Sequence, residues 1–231
     1  MSHINNIDDK LDLLIEFLLY SMHIEQTIND EKTKIDYDLN SIKYNIKDDE
    51  KSFIKNLFLF KLENQCKTCQ NSNSYNLILK INIKEIIKNN SEDIEVNIYN
   101  ILNHKNTIIC NLCNKPINND KIEFNIFPNI LVIYFLEKNI PNNRFNIDET
   151  IDLKDNISKN NKEYNIKYKL VGVIRENNEN NEKIVMSYYK SHDYTTWFAC
   201  ENGKLDNCST SKIDNFKYGI PNLLIYEKIE N

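Results

Sequence analysis

Glycine is nearly missing from this chain: three residues in 231, alongside a single alanine, Ala199. With so few glycines, most turns that need a left-handed backbone have to be made by asparagine. Also missing is a basic segment followed by an apolar one at the N-terminus, and no apolar run approaches the ~18 residues a membrane helix needs. That pattern argues against a membrane protein or a secreted one and makes a soluble intracellular chain, cytoplasmic or nuclear, the default. No run of Lys or Arg stands out, and the net charge is −5 with a pI near 5.5. An acidic chain without a basic stripe is a poor ligand for nucleic acid. In a reducing compartment its six cysteines read as thiols or metal ligands, not disulfides.

Asn, Ile and Lys dominate what is present, and runs such as NNENNE read as polar loops. Residues 8–28, DDKLDLLIEFLLYSMHIEQTI, carry the clearest helical signal. Leu11, Leu14, Leu18 and Met22 form a stripe that Ile15 and Leu19 widen, and the stripe is expected to face the core. The segment 29–52 reads as a loop. From residue 53 the pattern changes: SFIKNLFLFKLEN is rich in Phe and Leu and leads into the first Cys pair, SYNLILKINI alternates as a strand should, Ile130–Phe135 is a continuous apolar run after Pro128, and YNIKYKLVGVIRE, EKIVMSYYK, TTWFACEN and NLLIYEKI follow as strands, separated by Asn- or Gly-containing turns. Residues 94–103 fit either a short helix or a strand. The class is α+β, a mostly antiparallel β body with helix at its N-terminal end.

Two short motifs carry chemistry. CKTC places Cys66 and Cys69 three apart, and CNLC repeats the spacing at Cys110 and Cys113. Each C-x-x-C turn fixes two corners of a tetrahedron, and the two pairs together complete a four-thiolate site suited to Zn2+. Such a site has no open position, so its metal is structural. The forty residues between the pairs suffice for a strand, a helix and a returning strand. His104, six residues before the second pair, is surplus to a site that four Cys already close. Cys200 and Cys208 read as buried small hydrophobes.

Taken in order, these segments resemble the ubiquitin-specific protease family of deubiquitinating enzymes. DDKLDLLIEFLLYSMHIEQ is similar to that family's Q-Q-D-A-H-E-F-L helix, and NLFLFKLENQCKTCQ to its F-x-G-x-L segment ending in C-x-x-C. IFPNILVIYFLEK resembles L-P-x-I-L-x-I-H-L-K-R-F, ETIDLKD the L-D-L that follows, and YKLVGVIRE the Y-x-L-x-A-V-I-x-H box. TTWFACENGKL resembles W-Y-x-F-D-D-x-x-V, and PNLLIYEKI the closing A-Y-x-L-F-Y-x-R. The likeness spans residues 8–228. It implies a thumb, palm and fingers architecture of the cysteine-proteinase type: a truncated helical thumb over 1–52, zinc-bearing fingers over 53–125 and a β-rich palm over 126–231, forming one continuous domain. It also implies ubiquitin, or a ubiquitinated protein, as partner.

The same resemblance locates where a catalytic triad would stand. The family's nucleophile lies in a G-N-T-C box ahead of the Q-Q-D helix, whereas the first cysteine here is Cys66. The family's His stands thirteen residues before the box Trp. Counted back from Trp197, that position is Ile184, with Ser187 as the alternative register; neither side chain is a base. Glu182 and Lys183 stand where small glycines would line the tail channel. The third position falls on Glu201, followed by Asn202. His192, in KSHDYTTW, reads as a turn residue, and His23 as a surface or packing residue on the helix.

Three readings follow. The first is a catalytically inactive relative, a zinc-stabilised scaffold for ubiquitin or another protein. The second is an active deubiquitinase of which this chain is a truncated or split part. The third is a zinc β-module for protein assembly unrelated to ubiquitin.

Overall fold

The computed structural model describes residues 11–27, 52–63, 66–69, 75–83, 97–104, 107–117, 121–136, 147–159, 165–179, 182–191, 193, 195–201, 204–208 and 221–229. Three α-helices are described: α1 (Leu11–Thr27), α2 (Phe53–Phe58) and α3 (Ile98–Leu102). The strands are β1 (Lys61–Leu62), β2 (Ile78–Ile81), β3 (Ile108–Ile109), β4 (Phe124–Ile126), β5 (Ile130–Phe135), β6 (Thr150–Asp152), β7 (Lys167–Glu179), β8 (Glu182–Lys190), β9 (Trp197–Glu201), β10 (Lys204–Cys208) and β11 (Pro221–Lys228). A 3-10 turn at Lys154–Asn156 follows β6. The expected loop over 29–52 lies, apart from Ser52, outside the described residues.

Nine strands form one sheet in the order β10-β9-β8-β7-β11-β5-β2-β3, with β6 pairing beside β7. All its pairings are antiparallel except β2 with β5. β1 and β4 make a separate two-stranded ribbon. The segment between the two cysteine pairs holds β2, α3 and β3, a strand, a helix and a returning strand, and β2–β3 joins the same sheet as the C-terminal strands.

The sheet buries both faces over its middle, and two cores result. One holds Leu79, Ile81, Leu131, Ile133, Phe135, Leu224 and Tyr226, sealed by α3 and the β1–β4 ribbon. The other holds Ile78, Val132, Tyr134 and Leu223 beneath α1 and α2. Strands at the centre of a two-faced sheet read as unbroken apolar runs, as ILVIYF does in β5.

α1 is rotated relative to the expected packing. Leu14, Leu18 and Met22 of the stripe are exposed, as is Phe17. Among its described side chains, Glu16, Tyr20 and His23 are buried and Ile15, Leu19 and Ser21 half-buried. Polar contacts explain the turn. The Glu16 carboxylate lies 3.6 Å from Lys80 Nζ, both side chains being buried between α1 and β2. Tyr20 donates its hydroxyl hydrogen to the Tyr75 carbonyl at 3.2 Å. Burial, with the Glu16 charge beside it, pushes the Tyr20 phenol well above its ordinary value and keeps it a donor. His23 Nδ1 meets Ser52 Oγ at 2.5 Å, and Ser52 caps α2 by accepting from the Lys55 N–H. His23 is therefore a buried packing residue, not a surface one. Among the described residues no helix is long and apolar enough to cross a membrane.

Candidate metal centre

Both C-x-x-C motifs sit on turns. Cys66–Cys69 forms one after β1, and Cys110–Cys113 forms the other at the end of β3. The second turn is closed by the Asn114 N–H donating to the Cys110 carbonyl and the Cys110 N–H donating to that of Lys115, each at 2.9 Å. Asn114 takes a left-handed φ of 54°, the substitution of asparagine for glycine that the composition implied. The neighbouring Asn111 side chain donates to the Ile78 carbonyl at 2.7 Å, tying this turn to β2.

The turns face one another and bring four sulfurs within 4.8 Å of each other. Cys66 Sγ lies 3.4 Å from Cys113 Sγ, and Cys69 Sγ lies 3.7 Å from Cys110 Sγ. All four are free thiols; Cys66 and Cys110 are buried, and Cys69 and Cys113 half-buried against the same core. A tetrahedral ion with metal–sulfur distances of ~2.3 Å sets its ligands ~3.8 Å apart, so the arrangement fits a metal ion with little adjustment. His104 is not among the grouped ligands.

The thiols differ before any metal binds. At Cys66, burial raises the pKa, but the N–H groups of Cys69 and Thr68 and the thiols of Cys113 and Cys69 outweigh it and bring the value to about 7. Burial pushes Cys110 up to about 12, despite the N–H groups of Cys113 and Leu112 pointing at its sulfur. Burial also raises Cys113. Backbone N–H groups aimed at three of the sulfurs are the second layer of support that thiolate–metal sites use.

At the opposite end of the sheet lie the residues that the resemblance aligns with a catalytic triad. β8 and β9 pair without a break in register from Lys190–Trp197 to Met186–Glu201. The turn between them is held by the Ser191 N–H donating to the Thr196 carbonyl at 2.8 Å and by a Ser191–Asp193 side-chain bond. Trp197 is buried, with Lys190 Nζ 5.2 Å from its ring centre. Ile184 lies in β8 opposite Asn177 of β7, and Glu201 ends β9. Asn202 and His192 fall outside the described residues. Ser187 pairs with Cys200 across the β8–β9 ladder. Cys200 and Cys208 are half-buried, so only partial burial supports their reading as small hydrophobes. A cavity of about 320 Å³ lined by Asn97, Tyr99, Asp152 and Lys154 belongs to neither place.

The ubiquitin carboxyl-terminal hydrolase family model matches residues 7–226, nearly the whole chain. The chain belongs to the ubiquitin carboxyl-terminal hydrolase family. Its fold is that of solved members. The SAGA Ubp8/Sgf11/Sus1/Sgf73 DUB module superposes with a TM-score of 0.62 at 17% identity, covering 95% of this chain and 47% of the other. The yeast SAGA DUB module carrying a mutant Sgf73 gives 0.62 at 16% identity, with 95% and 48% covered. The same module bound to ubiquitin aldehyde gives 0.54 at 17%, with 95% and 49% covered. The chain thus spans about half the length of these structural relatives. No curated protein sequence matches it. Sequence reasoning located the thiols but missed Asn111 and Asn114, which fix the second turn. An asparagine directly after the second C-x-x-C, in a chain so poor in glycine, was the available signal for Asn114.

Proposed function

We propose that this chain is a non-catalytic ubiquitin carboxyl-terminal hydrolase-type domain, held in shape by zinc on Cys66, Cys69, Cys110 and Cys113, that binds ubiquitin or a ubiquitinated protein. In this reading residues 1–52, 53–125 and 126–231 are thumb remnant, fingers and palm. Four thiolates fill the zinc coordination sphere, so the ion's contribution is to cross-link two turns and orient the strands behind them. The observation that carries the non-catalytic part is the identity of the base position. The thirteen-residue count back from Trp197, which the resemblance supplies, ends on Ile184 in β8. An alkyl side chain neither accepts a thiol proton nor returns one to a leaving group. Glu201 is left with no imidazole at that position to orient. Ubiquitin binding rests on family membership and on the solved relative that holds ubiquitin aldehyde.

The test uses zinc-loaded full chain. Titration with ubiquitin up to millimolar, followed by NMR, is expected to give saturable shifts, lost on chelation. Hydrolysis of a ubiquitin–fluorophore conjugate is expected to stay at background, for the chain and for Ile184→His alike. Turnover by the pure chain would instead establish an active deubiquitinase. Absence of shifts at millimolar ubiquitin would leave a zinc module for assembly with other proteins.

A further inference from the structure

Burial and distance divide the four thiols in a way that holding a metal does not require. The close contacts run between the turns: Cys66 Sγ meets Cys113 Sγ at 3.4 Å, and Cys69 Sγ meets Cys110 Sγ at 3.7 Å. Each of these pairs joins one buried residue, Cys66 or Cys110, to one half-buried residue, Cys113 or Cys69. The turns keep their places by more than the metal. The second is closed by hydrogen bonds from Cys110 to Asn114 and Lys115, and Asn111 ties it to β2. On the first, Cys66 lies in the sealed core with Phe60, Leu62 and Phe124. The sulfurs therefore stay opposite one another when no ion draws them together.

We propose that the four cysteines form a redox clasp, in which hydrogen peroxide replaces the metal by two disulfides, Cys66–Cys113 and Cys69–Cys110, and leaves the two turns joined. The inference rests on zinc being held by these thiolates, as proposed above, and not on ubiquitin binding. With zinc bound all four sulfurs are thiolates, so exposure decides which one peroxide meets first. A half-buried sulfur, on Cys113 or Cys69, attacks one peroxide oxygen. The O–O bond breaks, the sulfur is oxidised to a sulfenic acid, and the other oxygen takes a proton and leaves as water. The buried partner, Cys66 or Cys110, then attacks that sulfur; the S–O bond breaks, and its oxygen also takes a proton and leaves as water. Over both pairs, two peroxides and four protons become four waters, four thiolates become two disulfides, and one Zn2+ is set free. Loop entropy alone favours partners three residues apart over partners 47 and 41 apart. The folded contacts select the distant partners, and only that pairing keeps the turn after β1 linked to the turn at the end of β3. A thiol reductant reverses the change and returns the ligands.

The test treats zinc-loaded full chain with hydrogen peroxide, reads released zinc with a chromogenic chelator, and maps disulfides by tandem mass spectrometry of the alkylated, unreduced chain. The expected result is loss of the bound zinc together with the two cross-turn disulfides. The oxidised chain should keep a cooperative thermal transition in excess chelator, followed by circular dichroism, until a thiol reductant is added. Dimedone present during oxidation should trap sulfenic acid on Cys113 and Cys69 at least about tenfold more than on Cys66 and Cys110. The chelated chain oxidised in urea, where folded contacts no longer choose the partner, should form the two bonds within the turns instead. Cys66–Cys69 and Cys110–Cys113 bonds from the folded chain, sulfinic acids without disulfides, or an oxidised chain that has lost its transition overturns the proposal. A chain that takes up no zinc overturns the metal assignment and this proposal with it, whereas a zinc-loaded chain with the wrong disulfide map overturns this proposal alone.

Discussion

On one side of the sheet, Leu79, Ile81, Leu131, Ile133 and Phe135 are sealed without interruption, and the two thiol turns close the end of that core. On the other side, among the described residues, α1 and α2 cover β2, β5, β11 and Ile174 of β7, and the described α1 side chains that are fully buried are a carboxylate, a phenol and an imidazole. The sealed face is held by apolar area and by whatever joins the turns. The roofed half of the second face is held by a smaller apolar core together with a few specific polar contacts, and its outer strands β8–β10 by partly buried side chains. The three zones should therefore respond to substitution on three different scales.

The largest effect belongs to the thiol turns. Cys110→Ser, or stripping metal from the four cysteines with a chelator, is expected to abolish cooperative folding, because a structural thiolate site contributes ~10 kcal/mol or more of binding energy to the folded state. The loss of a sigmoidal thermal transition by circular dichroism would register it. Each thiol must lose a proton to bind the metal, so lowering the pH acts in the same direction. If the chelated chain melts as sharply as the loaded one, the sealed face owes nothing to the metal and the contrast fails.

The intermediate effect belongs to the roofed half. Lys80→Met takes the ion-pair partner from the buried Glu16 and should cost about 3–5 kcal/mol, read as a lower urea midpoint. Pairing it with Glu16→Met should recover most of that loss, since the cost lies in the stranded charge. A Lys80→Met midpoint equal to the parent's would show that α1 is not seated by this pair.

The smallest effect belongs to the outer strands. Leu205→Lys should shift the unfolding free energy of the chain by no more than about 0.5 kcal/mol, because Leu205 already faces water there. A larger loss would mean that β10 is covered within the single chain.

These zones were unequally legible in the sequence. The thiol turns were plain, because the 66/69 and 110/113 spacing has few other uses, and the residues between them are enough for a strand, a helix and a return, although 94–103 fitted a helix or a strand equally. β5, β7, β8, β9 and β11 were visible as apolar or alternating runs between turn residues. α1 was visible as a helix, but periodicity marks an apolar stripe without saying which side meets the sheet. There the Glu16–Lys80 contact joins residues 64 apart, a separation over which sequence patterns carry no signal. β10 was missed because an exposed edge strand, KLDNC, has no apolar alternation. β1 and β4 are too short to carry a period. The triad positions became readable only through the resemblance, since nothing in the physical pattern of EKIVMSYYK distinguishes Ile184 from any other strand residue.

Among the described strands β2 with β5 is the single parallel pair, and it has a consequence for how the chain is made. Ile78 must wait for Val132, which is added 54 residues later. At ~5–20 residues per second that is a delay of about 3–11 s on the ribosome. Cys113 is added before Val132, so all four sulfurs exist while β2 is still without its neighbour. Metal capture at that moment would close the β2–α3–β3 unit first, giving the rest of the sheet a finished edge on which to grow.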